Sequence, residues 1–178
     1  MLSLRLLPGL LAAALGLGFA TVAQADTVYL SAEDFLHHAF ATPPRAEVFW
    51  LDNTAQEKLT RIFGHPYRAA RVRYWREGAT TVWILEDIGK EFPITAGFLV
   101  KAGQVDEARV LVYRESRGME IHLPAFLRQF NGARIADDKL STPIDGISGA
   151  TLSVAAMERM ARAALILNQL ATNPVPAK

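Results

Sequence analysis

The sequence predicts an α+β fold, a single domain in which an antiparallel sheet carries helices packed on it. β-branched and aromatic runs come in pairs joined by short glycine-containing turns, as hairpins do. Capped segments with apolar periodicity flank those runs. Leu152, Ala156, Met160, Ala163, Leu167 and Leu170 recur three or four apart, so the last segment is an amphipathic helix with a stripe to bury against the sheet.

The elements follow in order. Ser31-Ala-Glu-Asp34 is an acidic variant of the capping box and opens a short helix through Phe35, Leu36 and Phe40, which Pro43-Pro44 stops. Asp52-Asn53-Thr54 caps a second helix over Ala55 to Phe63, closed by Gly64. Arg71 to Arg76 and Thr80 to Leu85 form a hairpin about Glu77-Gly78-Ala79. Ile94, Ala96, Phe98 and Val100 alternate along the next strand, Gly103-Gln104 turns the chain, and Ala108, Val110 and Val112 alternate on the return. About four or five strands are expected, with a helical stretch from Pro124 to Phe130 after them and the helices gathered to one face or end.

Residues 1–25 stand apart. One early cation, Arg5, precedes an apolar stretch that ends in Ala23-Gln24-Ala25, the pattern of an export signal cleaved after Ala25. An uncleaved N-terminal membrane anchor is the alternative, since Leu6 to Ala23 is nearly long enough to span a bilayer. Residues 26–89 then supply the N-terminal helices and a hairpin, residues 90–171 the core, and residues 172–178 a disordered tail, all outside the cytoplasm. Without Arg5 the chain balances 18 basic against 18 acidic residues, so it has no electrostatic footprint for nucleic acid. Cysteine is absent, which excludes disulfides, thiolate metal sites and iron–sulfur clusters.

The densest chemistry lies just before the last helix, in Asp145-Gly-Ile-Ser-Gly-Ala-Thr-Leu-Ser-Val154. Gly146 and Gly149 permit positive φ and close approach of a ligand, and the helix beginning near Thr151 presents unpaired amides and a positive dipole end. Such a turn suits an anion, most simply a phosphate. The plain alternative accounts for the same residues: Ser148 or Thr151 caps the helix and the glycines only make the turn. A nucleophile elbow is a poor match, because Ala150 replaces its last glycine and no histidine follows Ser148. His37, His38, His65 and His122 have no metal-ligand spacing and are read as structural or solvent-facing.

Asp145 to Thr151 resembles, at every defined position, the Asp-x-x-Ser/Thr-Gly-Ala-Thr flavinylation motif of the FMN-binding domain family, which includes the flavin subunits of the Rnf complex and of sodium-pumping NADH:quinone reductase. The resemblance spans roughly residues 90–170: Ile94 to Val100 and Ala108 to Tyr113 resemble the family's central strands, Glu115-Ser-Arg-Gly118 its Glu-Thr-x-Gly loop, and Phe126 to Gly132 the helix after it. It implies an FMN-binding-domain-like fold with FMN held covalently on Thr151 by a phosphoester. It further implies an exported, magnesium-dependent flavin transferase as partner, with FAD as donor. Ser148, Gly149, Ala150, Leu152 and Ser153 would surround the phosphate, Ser153 adding a hydroxyl donor. Glu115, Ser116, Gly118 and Met119 would lie by the flavin ring, unless they are an ordinary loop. Asp145 falls to transferase recognition or turn formation. The expected role is an electron carrier between a membrane reductase and another extracytoplasmic partner, with no catalytic acid or base. A non-redox module holding a phosphate-bearing ligand is the alternative.

Overall fold

A computed structural model describes residues 26–173. The proposed signal and the last five residues of the expected tail lie outside that range. In chain order the elements are β1 (Thr27–Val28), α1 (Ala32–Ala39), β2 (Glu47–Trp50), α2 (Asn53–Phe63), β3 (Arg71–Glu77), β4 (Thr80–Ile88), β5 (Pro93–Lys101) and β6 (Gln104–Tyr113). A 3-10 turn over Met119–His122 follows, then α3 (Pro124–Leu127) running into a second 3-10 turn, β7 (Ile135–Ala136), β8 (Lys139–Leu140) and α4 (Thr151–Thr172).

The main sheet is antiparallel throughout, in the order β1-β6-β5-β4-β3-β2, and β7 with β8 form a separate ribbon. The fold is α+β, as the hairpin signals predict. It has two more strands in the sheet than those signals mark. Strand β1 is two residues long and β2 is a four-residue edge strand, both too short to carry a readable period.

Both predicted N-caps form. Ser31 Oγ accepts from Asp34 N–H at 2.9 Å, and Asp52 Oδ1 accepts from Ala55 N–H at 2.8 Å, so α2 begins at Asn53. The helices are not all gathered on one face. Helices α2 and α4 cover the side of the sheet that presents Tyr74, Trp83, Ala96, Phe98 and Val110, whereas α1 lies against Val82, Leu99 and Leu111 on the other. Three apolar side chains, Phe35, Leu36 and Phe40, give α1 enough surface to bury on its own.

Two polar contacts fasten α4 inside the main core. Buried Trp83 Nε1 donates to Thr81 Oγ1 at 3.0 Å, and that hydroxyl donates to Asn168 Oδ1 at 2.8 Å. Eight residues nearer the start of the helix than Leu167, Arg159 Nε donates to buried Asp87 Oδ2 at 2.6 Å and its Nη2 to Ile88 O at 3.2 Å. Burial raises the Asp87 pKa against the opposing pull of Arg159.

Gly97 shows how closely α1 approaches the sheet. A Cβ built there would stand 2.6 Å from Cδ1 of the fully buried Phe35 ring, closer than carbon atoms pack. Gly97→Ala should therefore lower the unfolding free energy by about 1–3 kcal/mol through overpacking, measured by denaturant titration. Combined with Phe35→Leu it should cost less than the two single changes added together.

Candidate functional site

The Asp145–Thr151 motif folds into the turn that starts α4. Ala150 N–H donates to Ile147 O at 2.9 Å, and Gly149, third in that turn, has φ 82°. That is the backbone of a type II turn, which glycine adopts without steric cost. Gly146 does not enter the left-handed region, so only one of the two glycines answers the expectation of positive φ.

The N-cap of α4 is Ala150, whose side chain accepts nothing, and no other side chain caps the helix. The first intrahelical bond runs from Val154 N–H to Ala150 O, leaving the amides of Thr151, Leu152 and Ser153 without helical partners. Neither Ser148 nor Thr151 acts as the cap that the plain alternative requires. The first turn also lacks an acidic side chain, so nothing within the helix offsets the positive end of its dipole.

A cleft of about 530 Å³ opens at this helix start. Gly149, Ala150, Thr151, Leu152 and Ser153 line one wall, and Lys90, Glu115, Ser116 and Arg117 line the rest. Thr151 is exposed, as is Leu152 at 51 %, although its spacing places it on the apolar stripe. Ser148, Gly118, Met119 and Asp145 do not line the cleft. Ser148 is exposed on the turn, Met119 is half exposed at the next 3-10 turn, and the Asp145 N–H donates to Gln129 Oε1 at 2.7 Å.

A bulge in β6 builds the second wall. Ala96 pairs with Val110 but Thr95 pairs with Val112, which leaves Leu111 as the extra residue. The alternation shifts phase there: Val112 turns to the α1 side, and Tyr113 points into the α4 core in its place. The expectation that Val112 continues the inward row of Ala108 and Val110 fails for this reason. The Tyr113 hydroxyl donates to Arg117 O, so its one proton is committed and the Ser153 hydroxyl, 3.0 Å away, donates to it. Burial raises the Tyr113 pKa, opposed by the bond from Ser153, so the phenol is neutral at pH 7. Buried Ser153 thus spends its proton on Tyr113 rather than offering it to the cleft.

Gly118 closes the joint between the two walls. It has φ 85°, and a Cβ on it would stand 2.9 Å from Ala150 Cβ and 2.9 Å from the Tyr113 hydroxyl oxygen. Glu115 is only 7 % exposed, and its Oε1 accepts the N–H groups of Lys90, Glu91 and Phe92.

Residues 89–166 match the family model of the FMN-binding domain. This segment belongs to that family. No curated protein matches the chain. The matched segment includes Thr151, which lies in the cleft beside the free amides. The residues present fit FMN: the cleft has the size of a small-molecule site, and the helix amides with Lys90 and Arg117 suit a phosphate. Lys90 and Tyr113 join the site without having been expected there, and Arg117 lines the cleft as part of the Glu115-Ser-Arg-Gly118 loop. An unbroken apolar run, Val110-Leu-Val-Tyr113, was the available sign of the bulge, whereas nothing in the sequence tied the turn after β4 to the motif.

Gly118→Ala should force the 114–118 loop away from α4. It is expected to cost at least about 1–2 kcal/mol from the left-handed backbone alone, read by thermal unfolding, and to lower flavin content.

Proposed function

We propose that the protein is an exported flavoprotein that carries FMN esterified to Thr151 and moves electrons between a membrane reductase and another extracytoplasmic partner. One observation carries the reading: a complete flavinylation motif at an uncapped helix start, inside the cleft of an FMN-binding segment.

The three hydroxyls of the motif are not equivalent. Ser148 stands outside the cleft lining, and buried Ser153 is bonded to Tyr113. Thr151 is exposed at the first helical position, where the ester's charge would meet the amides and the dipole of α4. An exported, magnesium-dependent transferase would use FAD as donor. Thr151 Oγ1 forms the new bond to the flavin-side phosphorus, the bond between the two phosphates breaks, and AMP leaves with the hydroxyl proton. Asp145, exposed and away from the cleft, is then free to be read by the transferase. The redox chemistry is the flavin's own, and the chain supplies attachment, orientation and charge balance. Covalent attachment prevents the flavin from being lost outside the cytoplasm, the compartment that residues 1–25 suggest.

Made with such a transferase, the wild-type chain should gain the mass of one FMN less one water and fluoresce in a denaturing gel. Thr151→Ala should lose both signals while still folding, and Ser148→Ala should retain them. Flavin on Ser148 or Ser153 by peptide mapping would refute the assignment. Asp145→Ala should lower the flavinylated fraction and leave the apoprotein folded, as read by intact mass beside thermal unfolding. After export the N-terminus should be Asp26, and a chain still starting at Met1 in the membrane would point to the anchored form.

A further inference from the structure

We propose that Lys90 recognises the phosphate end of the flavin, and that Glu115 is the positioning residue that sets Lys90 there by folding the turn between β4 and β5 around its carboxylate. This rests on the reading that the cleft holds FMN. Glu115 Oε1 accepts three consecutive amides, from Lys90 at 2.5 Å, Glu91 at 2.7 Å and Phe92 at 3.0 Å. Gly89 N–H closes the turn on Phe92 O at 3.1 Å, and a Cβ at Gly89 would stand 2.8 Å from Glu115 Oε1. Consecutive amides gathered in this way form an anion nest, and here the chain fills the nest with its own buried carboxylate.

Two consequences follow from this geometry. The Glu115 oxygen that would otherwise repel an anion in the cleft is taken up by backbone donors. The backbone of Lys90 is held at the cleft, while among the described residues its ammonium pairs with Glu91 alone, at 3.2 Å and with both side chains more than half exposed. Such a pair is weak, and Nζ can turn to a phosphate within reach. Glu115 thereby acts through Lys90 rather than by touching the flavin ring.

FMN and riboflavin differ only in the phosphate, so the preference between them isolates its recognition. In a Thr151→Ala chain, where no ester forms, binding of each is followed by quenching of flavin fluorescence. FMN should bind more tightly than riboflavin. Lys90→Ala should reduce that preference by about tenfold, the worth of one charge-assisted hydrogen bond, with riboflavin affinity unchanged. Lys90→Arg should keep most of it. Glu115→Gln should reduce the preference as Lys90→Ala does, add nothing in the double variant, and speed hydrogen exchange at the amides of Lys90, Glu91 and Phe92 in the apoprotein.

A preference unchanged by Lys90→Ala, or lost instead in Arg117→Ala, would overturn the proposal. Equal weakening of FMN and riboflavin by Glu115→Gln would do the same, since it would place that side chain against the ring. If reversible binding is too weak to measure, the rate of flavin attachment to Thr151 from FAD decides, and equal rates for wild type and Lys90→Ala reject Lys90. Absence of flavin from the wild-type chain by intact mass would instead reject the function on which this rests, and the exchange measurement on the apoprotein still reports on Glu115.

Discussion

The seating of α4 on the sheet is the constraint on which the site depends. Apolar burial of Met157, Met160, Leu165 and Leu167 among the alanines at 156, 161, 163 and 164 holds the helix to the slab but is non-directional. Directional bonds set its position: Thr81 to Asn168 in the second half of the helix and Asp87 to Arg159 nearer its middle. These two pins lie about 13 Å apart along the helix axis, and Thr151 is about 12 Å beyond Arg159. A rod held at two points has a defined end. The free amides of the first turn are therefore delivered to one place beside the loop after β6.

That loop is aimed by irregularity rather than by regular structure. The bulge at Leu111 shifts β6 out of phase, so Tyr113 rather than Val112 points inward and reaches both Arg117 O and Ser153. Gly118 then lets the backbone pass against Ala150 where any side chain would collide. Bulge, phenol and glycine form one joint between β6 and α4. Each departs from an ideal strand or loop, and together they fix where the cleft wall meets the start of α4.

The hairpins, both caps and the burial of α4 were legible because each is a local signal with a local cause: glycine turns, a side-chain oxygen before a helix, a 3.6-residue period. What the sequence hid is tertiary. Leu152 lies on the apolar stripe yet is exposed, because the helix start leaves the slab and enters the cleft. Gly146 and Gly149 look alike in the motif, but only the one at the third position of the turn carries positive φ. Val112 lost its inward place to a bulge, and α1 went to the opposite face because its partner surface was set by β4, β5 and β6 together. Lys90 joined the site through three amide bonds to a residue 25 positions away, which no local pattern encodes.

The boundary of the FMN-binding match also has a physical meaning. Thr81 and Asp87, the sheet ends of both pins, lie on β4 before residue 89, and Asn168 lies after residue 166. Strand β5 pairs with β4 over nine register positions from Thr80–Lys101 to Ile88–Pro93, so without β4 it would be an exposed edge. Leu59, Phe63, Tyr74, Trp83 and Leu85 fill the same core as the face of α4. The matched segment carries the motif, the cleft lining and the Tyr113–Ser153 bond, but neither of the two pins lies wholly within it. Helix α2 and strands β3 and β4 thus bear on the cleft at one remove, since they help fix where Thr151 stands.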